Sequence, residues 1–360
     1  MGDMEKSHFD IVVSDIRMKD VDGYELLCHV REKHPDTMRI VLSGQTDHET
    51  ALKSVSVSHQ FLSKPCEGDQ LRRVLDRACT IRNLCTNDKH REAISRMGSL
   101  PSVPSLYLEL TDAMANDTAS AQEIGAIIEQ DIGMSVKLLQ IVNSAFFGLS
   151  REVSSIREAV TYLGLSPIRA LALSEGAFAA HESSDCFTLN DLKEEQRHGM
   201  LVASIAKQIS PTPEIGEPAF LAGMLHDLGV LLLATQFPDD FKEMQQSIAK
   251  ATDTVEEETK AFGTTHGRLG AYLLGSWGLP IAVTEAVAFH HDPGTVEHDE
   301  FDVVTAVHVA NGLLHEQVAP RVLVPPQNAI NLDYLRRLGL EDQLEGWREI
   351  AREIIESSHE

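Results

Sequence analysis

Hydrophobic and polar positions follow two different rhythms along this chain. In the first 80 residues, short β-branched runs alternate with stretches of helical spacing. Phe9–Ser14, Arg39–Ser43 and Gln60–Ser63 read as strands, and Tyr24–Lys33 and His48–Val57 between them are helix-compatible. Strand, helix, strand, helix, strand implies a parallel sheet joined by right-handed crossovers. Pro65 stops the third strand and Gly68 permits a turn. Asp69 is placed to N-cap a helix that contains Leu71, Val74, Leu75 and Ala78.

From about Asp69 onward no strand is predicted, and apolar residues recur at helical spacing. Leu138, Ile141, Val142 and Ala145 fall at i, i+3, i+4 and i+7, and Val283, Val287 and His290 share one helix face. Residues 81–95 are polar and helix-permissive, which predicts a connecting helix. Pro101 and Pro104 mark an extended entry to a new domain, and Pro320, Pro325 and Pro326 set off a last helical tail. The expected fold class is mainly α, with a partial α/β doubly wound unit ahead of an all-α domain.

Charge changes this picture by narrowing the partners. The 360 residues hold 31 Lys and Arg against 55 Asp and Glu, a net charge of −24. Such a balance argues against nucleic acid and against anionic membranes, which both reward a basic surface. Residues 1–88 carry 15 acidic and 12 basic side chains and the remainder 40 and 19, so the acidity belongs to the helical part. A basic partner surface suits it better than nucleic acid. A hydrophobic content of 42% is enough for real cores. Five cysteines (Cys28, Cys66, Cys79, Cys85, Cys186) with no CxxC form neither a disulfide framework nor a zinc ribbon. No window approaches the roughly 20 apolar residues of a membrane helix. The first ten residues are polar, unlike a signal peptide. A cytoplasmic protein is expected.

In a parallel α/β sheet, chemistry gathers at the carboxyl ends of the strands. Asp15 follows the first strand, Ser43 closes the second and Lys64 follows the third. A carboxylate, a hydroxyl and an ammonium on one edge suit a phosphoryl group on Asp15, neutralised by Lys64 and hydrogen-bonded by Ser43. The runs FDIVVSDIRMKDVDGYELL, VLSG and FLSKP closely resemble the response-regulator receiver domain, a flavodoxin-like fold. The resemblance implies that Asp15 is the phosphoacceptor, with a histidine kinase as donor. It makes Ser43, Phe61 and Lys64 the switch residues.

A complete receiver has five strands and an acidic pair that holds Mg²⁺, yet only eight residues precede Phe9. The first two strands and helices of the pattern are absent, and Asp3 and Glu5 stand on no predicted strand. Without two outer carboxylates, Mg²⁺ would rest mainly on Asp15, so poor phosphorylation is expected. A start site placed too far downstream and a degenerate domain are the two origins considered.

The second constellation is built from histidine. His198, His226-Asp227, His266, His290-His291 and His308 lie among the eight histidines between residues 190 and 316. Only His226-Asp227 ends an apolar helical run, Phe220–Leu225, so that polar pair needs a hydrogen-bond or metal partner. This spacing resembles the HD superfamily of helical metal-dependent phosphohydrolases. The runs LPSVP, EQDIGMSVKLLQIVNSAFFG and SSIREAVTYLGLSPIRALAL, then AFLAGMLHDLGVLLL, HGRLGAYLLGSWGLP and AVAFHHDP, resemble its HDOD branch over residues 96–316.

The expected division is 1–80 for the partial receiver, 81–95 for the linker helix, 96–316 for HDOD (halves 96–190 and 191–316), and 317–360 for the tail. The resemblance implies candidate metal ligands at His198, His226, Asp227, His266, His290 and His291, with Mn, Fe or Zn as the metal. It also implies degeneracy. Val230 stands where the cyclic-dinucleotide phosphodiesterases have lysine, their GYP motif is missing, and Asn311 falls where a last carboxylate ligand is expected.

Several residues carry a plainer reading beside the chemical one. His266 reads equally as a buried histidine bonded to a backbone carbonyl, and His226-Asp227 as a pair whose members bond each other and cap the following turn. His290 and His291 are about 100° apart on a helix, so at most one is expected to face a given site. His308 reads as a helix-face residue. Met134, Met200 and Met224 read as core, and Glu256-Glu257-Glu258 as a solvated face. Asn143, Ser144 and Gly148 are placed to end a helix, and Phe146 and Phe147 read as core. The favoured expectation is a two-component-type signalling protein whose HDOD part acts without catalysis, through unknown protein partners. A homodimer stays open as one of them. The alternative is a metal-dependent phosphohydrolase of a nucleotide or cyclic dinucleotide, and a third reading is a ligand sensor in the HD pocket.

Overall fold

The computed structural model describes residues 9–15, 18, 22–35, 37–43, 58–64, 68–85, 87, 89–91, 101–102, 110, 113, 120–143, 152–164, 168, 179–180, 188–248, 254–277, 279–296, 298–318 and 330–358. Its first unit is a parallel three-stranded sheet in the order β1 (Ile11–Asp15), β2 (Met38–Ser43), β3 (Gln60–Ser63). Ile11 pairs with Met38 and Asp15 with Leu42, while Val41 pairs with Phe61 and Ser43 with Ser63. All three expected strands form. The first is shifted, because the ladder runs on through Asp15, which occupies its last position rather than following it. Helix α1 (Gly23–Lys33) begins at Asp22, whose carboxylate accepts the Tyr24 amide at 2.9 Å. The helix expected at His48–Val57 lies outside the described residues.

Helix α2 (Gly68–Leu84) begins one residue before the expected cap, so Asp69 lies inside its first turn. It buries Ala78 and Ile81. The expected linker helix over 81–95 is not one element. Helix α2 runs to Leu84, the helix breaks at Cys85, and residues 89–91 are helical again. The Arg91 guanidinium donates to the Cys85 carbonyl at 2.8 Å, which closes that break.

The helical domain follows. Two-residue strands β4 (Pro101–Ser102) and β5 (Ala179–Ala180) pair in parallel, a small bridge that apolar spacing does not predict. Helices α3 (Ala121–Glu129), α4 (Ile132–Val142) and α5 (Ile156–Leu163) pack on one another. Ser120 and Glu123 form a capping box at α3. Helix α4 ends just before Asn143, as expected. That side chain accepts the Val153 amide at 2.7 Å and donates to the Val153 carbonyl at 2.8 Å, tying the turn to the approach of α5. Ser144, Phe146, Phe147 and Gly148 lie outside the described residues.

The second half holds α6 (Leu189–Ile209), α7 (Pro213–Leu225), α8 (Leu228–Gln236), α9 (Pro238–Ile248), α10 (Thr254–Phe262), α11 (His266–Ser276), α12 (Ile281–Phe289) and α13 (Val303–Gln317). Helices α14 (Leu332–Leu338) and α15 (Leu344–Ser357) close the chain, and α15 packs on α6 and α13. Residues Pro213–Gln236 form a stretch long and apolar enough to cross a membrane, contrary to the sequence expectation. It is mostly buried and is broken at His226-Asp227, so it serves as the core of this half.

Glycine sets how close these helices come. Helix α8 crosses α11 at Gly229, where an added Cβ would lie 1.9 Å from the His266 carbonyl oxygen. Helix α2 of the first unit packs on the other end of α11, with Ile81 seated against Gly275.

Candidate functional site

At the sheet edge, Asp15 ends β1 and Lys64 follows β3, two strands away. Their side chains form a partly exposed ion pair across the end of β2. Ser43 closes β2 and Phe61 lies in β3. Asp3 and Glu5 lie outside the described residues.

The histidine site is assembled from helix ends. The α7 helix stops at Leu225, His226 caps it, and Asp227 starts α8. Asp227 makes no capping bond to α8, contrary to the capping reading. Its carboxylate faces histidines instead. Oδ1 lies 3.3 Å from His266 Nε2 and 3.6 Å from His290 Nε2. Oδ2 lies 3.2 Å from His226 Nε2 and 3.8 Å from His198 Nε2. His266 Nε2 is in turn 3.0 Å from His291 Nε2 and 3.4 Å from His290 Nε2. Two groups that could hold a metal therefore share one carboxylate: Asp227, His266, His290, His291 on one side and His198, His226, Asp227 on the other.

The expectation that His290 and His291 cannot both face the site fails. Helix α12 ends at Phe289, so the 100° step does not apply beyond it, and both rings turn inward with centroids 3.9 Å apart.

What lies behind each ring decides its chemistry. His226 Nδ1 is 2.7 Å from the Gly223 carbonyl, and His290 Nδ1 is 2.8 Å from the Val287 carbonyl. A carbonyl only accepts, so each Nδ1 carries a proton, and Nε2 is the atom each ring turns to the site. His266 is bonded to a carboxylate rather than the expected carbonyl: Nδ1 lies 2.7 Å from Glu258 Oε1, and the His266 amide donates to Glu258 Oε2 at 2.9 Å. Glu258 is 2% exposed, so the triplet 256–258 is not a uniform solvated face. Lys260 pairs with Glu256 and Glu257 outward, while Glu258 shares the inner face of α10 with Phe262.

Burial works against a proton on His266, but Glu258 and Asp227 outweigh it and raise its pKa to about 10. Burial lowers His290 to about 4 and drives His291 well below the usual histidine range, with help from His290 and His266. Carboxylates thus favour a proton on His266, while burial disfavours one on His290 and His291.

Other residues surround these rings. His308 is structural, as expected for a helix-face residue. Its Nδ1 donates to the His290 carbonyl at 2.7 Å and its Nε2 accepts the Asn331 amide at 2.9 Å, which braces the end of α12. Asn311 is 4% exposed, and its Oδ1 has no hydrogen-bond partner among the described residues. One turn later on α13, the His315 ring lies 5.4 Å from that of His198. Val230 is buried in the core of α8. Met134 and Met224 are buried as expected, and Met200 partly so.

Residues 100–293 match the HDOD domain and residues 1–76 the response regulator receiver domain. A Treponema pallidum (strain Nichols) protein without a functional name is 28% identical over 222 residues, 60% of this chain and 42% of its own length. The luminescence regulatory protein LuxO of Vibrio campbellii is 28% identical over 116 residues, 31% of this chain and 25% of its own length. The chain thus spans less than half the length of either relative. Among solved structures, the MmoQ response regulator of Methylococcus capsulatus superposes with a TM-score of 0.51 at 25% identity, covering 69% of this chain and 98% of that one. A mainly α chain with a receiver-like α/β unit, a helical domain over residues 100–293 and a histidine cluster at its centre belongs to the HDOD domain family.

Proposed function

We propose that this chain is a two-component-type signalling protein in which the receiver unit biases the HDOD unit. The observation that carries the reading is the packing of α2 on α11. Helix α2 follows the strand that leads to Lys64, and α11 opens with His266, so the receiver and the histidine cluster share one helix. A phosphate on Asp15 would compete for Lys64 and shift that packing. In this reading Asp15 is the phosphoacceptor, a histidine kinase the donor, and Ser43, Phe61 and Lys64 the switch; without the outer acid pair Mg²⁺ would rest mainly on Asp15, so phosphotransfer is slow. The boundaries are 1–80, 81–95, 96–316 and 317–360, the last a tail packed on the HDOD half. The HDOD unit then acts through protein partners in the cytoplasm.

The test is hydrogen exchange of the full chain with and without acetyl phosphate and Mg²⁺. Protection of α2 and α11 should change in the unaltered protein and not in Asp15→Asn. Phosphorylated protein with unchanged exchange in α11 would sink the reading.

The histidine cluster supports a divalent metal such as Mn, Fe or Zn as part of that unit. A tetrahedral site with bonds near 2.0–2.1 Å separates its ligand atoms by roughly 3.3–3.4 Å. Four of the six separations among the ligand atoms of Asp227, His266, His290 and His291 are 3.0–3.6 Å, and all lie within 4.8 Å, close to that geometry. His198, His226 and the second oxygen of Asp227 would hold another ion. Bound there, the metal would supply Lewis-acid chemistry toward a phosphoryl group.

The shared carboxylate favours a second reading, a phosphohydrolase of nucleotides or cyclic dinucleotides. The buried Val230 and the amide at Asn311 weaken it. Hydrolysis of bis(p-nitrophenyl) phosphate with Mn²⁺, abolished in Asp227→Ala, would select that reading, and its absence would leave the regulatory one.

A further inference from the structure

The metal reading leaves open what makes His266 a ligand, and α10 answers it. Its Glu258 carboxylate is buried and faces two donors of one residue, the His266 amide and His266 Nδ1. Gly263, at φ 68°, takes the left-handed turn that folds α10 back and brings these residues together across eight positions. Thr265 caps α11 with its hydroxyl, so the His266 amide is left for Glu258.

We infer that Glu258 is the positioning residue that presents His266 Nε2 to a metal. The inference rests on the metal reading of the same cluster. The argument lies in donor and acceptor roles. The backbone amide of His266 can only donate, so one carboxylate oxygen is committed to it. The other oxygen can only accept, so Nδ1 must carry a proton. When a metal replaces the proton at Nε2, the ring is neutral and its lone pair lies at Nε2, toward Asp227, His290 and His291.

Glu258→Gln has the same shape and reverses this. The backbone amide holds the single amide oxygen of Gln at the Oε2 place, which puts the NH₂ group at the Oε1 place, 2.7 Å from Nδ1 and nearer to it than Oε2 at 2.9 Å. Nδ1 must then accept, the proton moves to Nε2, and Nε2 can no longer bind a metal.

The test uses the full chain, with Zn²⁺ as a diamagnetic probe. Calorimetric titration should show a 10–100-fold loss of affinity in Glu258→Gln for the site that uses His266, the usual scale for an outer-shell partner. The His198–His226 site should keep its affinity. ¹⁵N–¹H spectra of the histidine rings supply the second readout, and they work on the unaltered protein too. Zn²⁺-loaded protein should show His266 protonated at Nδ1, and Glu258→Gln should lose that proton.

If the variant fails to fold, the ring spectrum of the unaltered protein still decides. Metal on Nδ1 with the proton on Nε2 overturns the inference. So does a destabilised Glu258→Gln that binds Zn²⁺ as tightly as before. Absence of Zn²⁺ binding in the unaltered protein overturns the metal reading itself, an outcome distinct from either.

Discussion

The contact between α8 and α11 should be the least forgiving place in the helical domain. A Cβ on Gly229 would lie 1.9 Å from the His266 carbonyl oxygen, 2.5 Å from its carbon and 2.8 Å from Cα. Backbone blocks it on every count, so no rotamer relieves the clash. The helices must part by about 1 Å to restore ordinary contact, and overpacking of this kind costs about 3 kcal/mol, the upper end of the usual range. A gap of that size also forfeits up to about half the dispersion energy of the atoms lining it. With a urea slope near 3 kcal/mol/M, Gly229→Ala should lower the midpoint by about 1 M. The same shift carries His266 away from Asp227, and Zn²⁺ affinity should fall at least about tenfold, since 1 Å misplacements of a working group are that costly. Gly275→Ala is the control. Its Cβ would meet only side-chain atoms of Ile81, at 2.7 and 2.8 Å, so it should cost less and leave Zn²⁺ binding intact. A Gly229→Ala protein with the original urea midpoint and Zn²⁺ affinity would refute the packing argument.

Two further expectations separate the roles of neighbouring residues. Asp227→Ala should abolish Zn²⁺ uptake at both sites, because each carboxylate oxygen faces one histidine group, whereas His198→Ala should spare the site of His266, His290 and His291; elemental analysis after dialysis counts the ions. Burial lowers His308 from its ordinary 6.5, so the unfolded chain takes up its proton first as pH falls; stability from this residue is present above 6.5 and lost below it, by at most about 1.4 kcal/mol per pH unit. Urea midpoints at pH 7 and pH 5 should therefore differ less in His308→Asn than in the unaltered protein.

Period and punctuation are enough to read the sheet and the helices at α1, α2, α4 and α12. Three β-branched runs bounded by Asp, Gly and Pro became β1, β2 and β3, each within two residues of its expected limits. The errors came where local pattern competes with long-range pairing. Asp15 reads as a loop residue, yet pairing with Leu42 draws it into the ladder. Residues 81–95 carry helix-permissive side chains throughout, but the chain turns at Cys85, where the buried Arg91 takes its carbonyl. The Pro213–Gln236 stretch reads as helix and is two helices, divided at the residues that build the site.

The same reasoning explains which parts of the histidine site were legible. Histidines and an aspartate at motif spacing stand out because nothing else explains polar residues in an apolar run. Their partners do not stand out. The Gly223 and Val287 carbonyls have no sequence signature, and Glu258 hides in a run of three glutamates. One signal was available: Glu258 lies four residues before Phe262, on the face that the helix must bury, while Glu256 lies within reach of Lys260 on the outer face. A buried carboxylate at such a position requires a donor, and His266 follows after a glycine turn. Ligand identity in this cluster is therefore set behind the rings. At His226, His266 and His290 the Nδ1 finds an obligate acceptor, and that requirement, more than the motif, aims Nε2 at the shared carboxylate of Asp227.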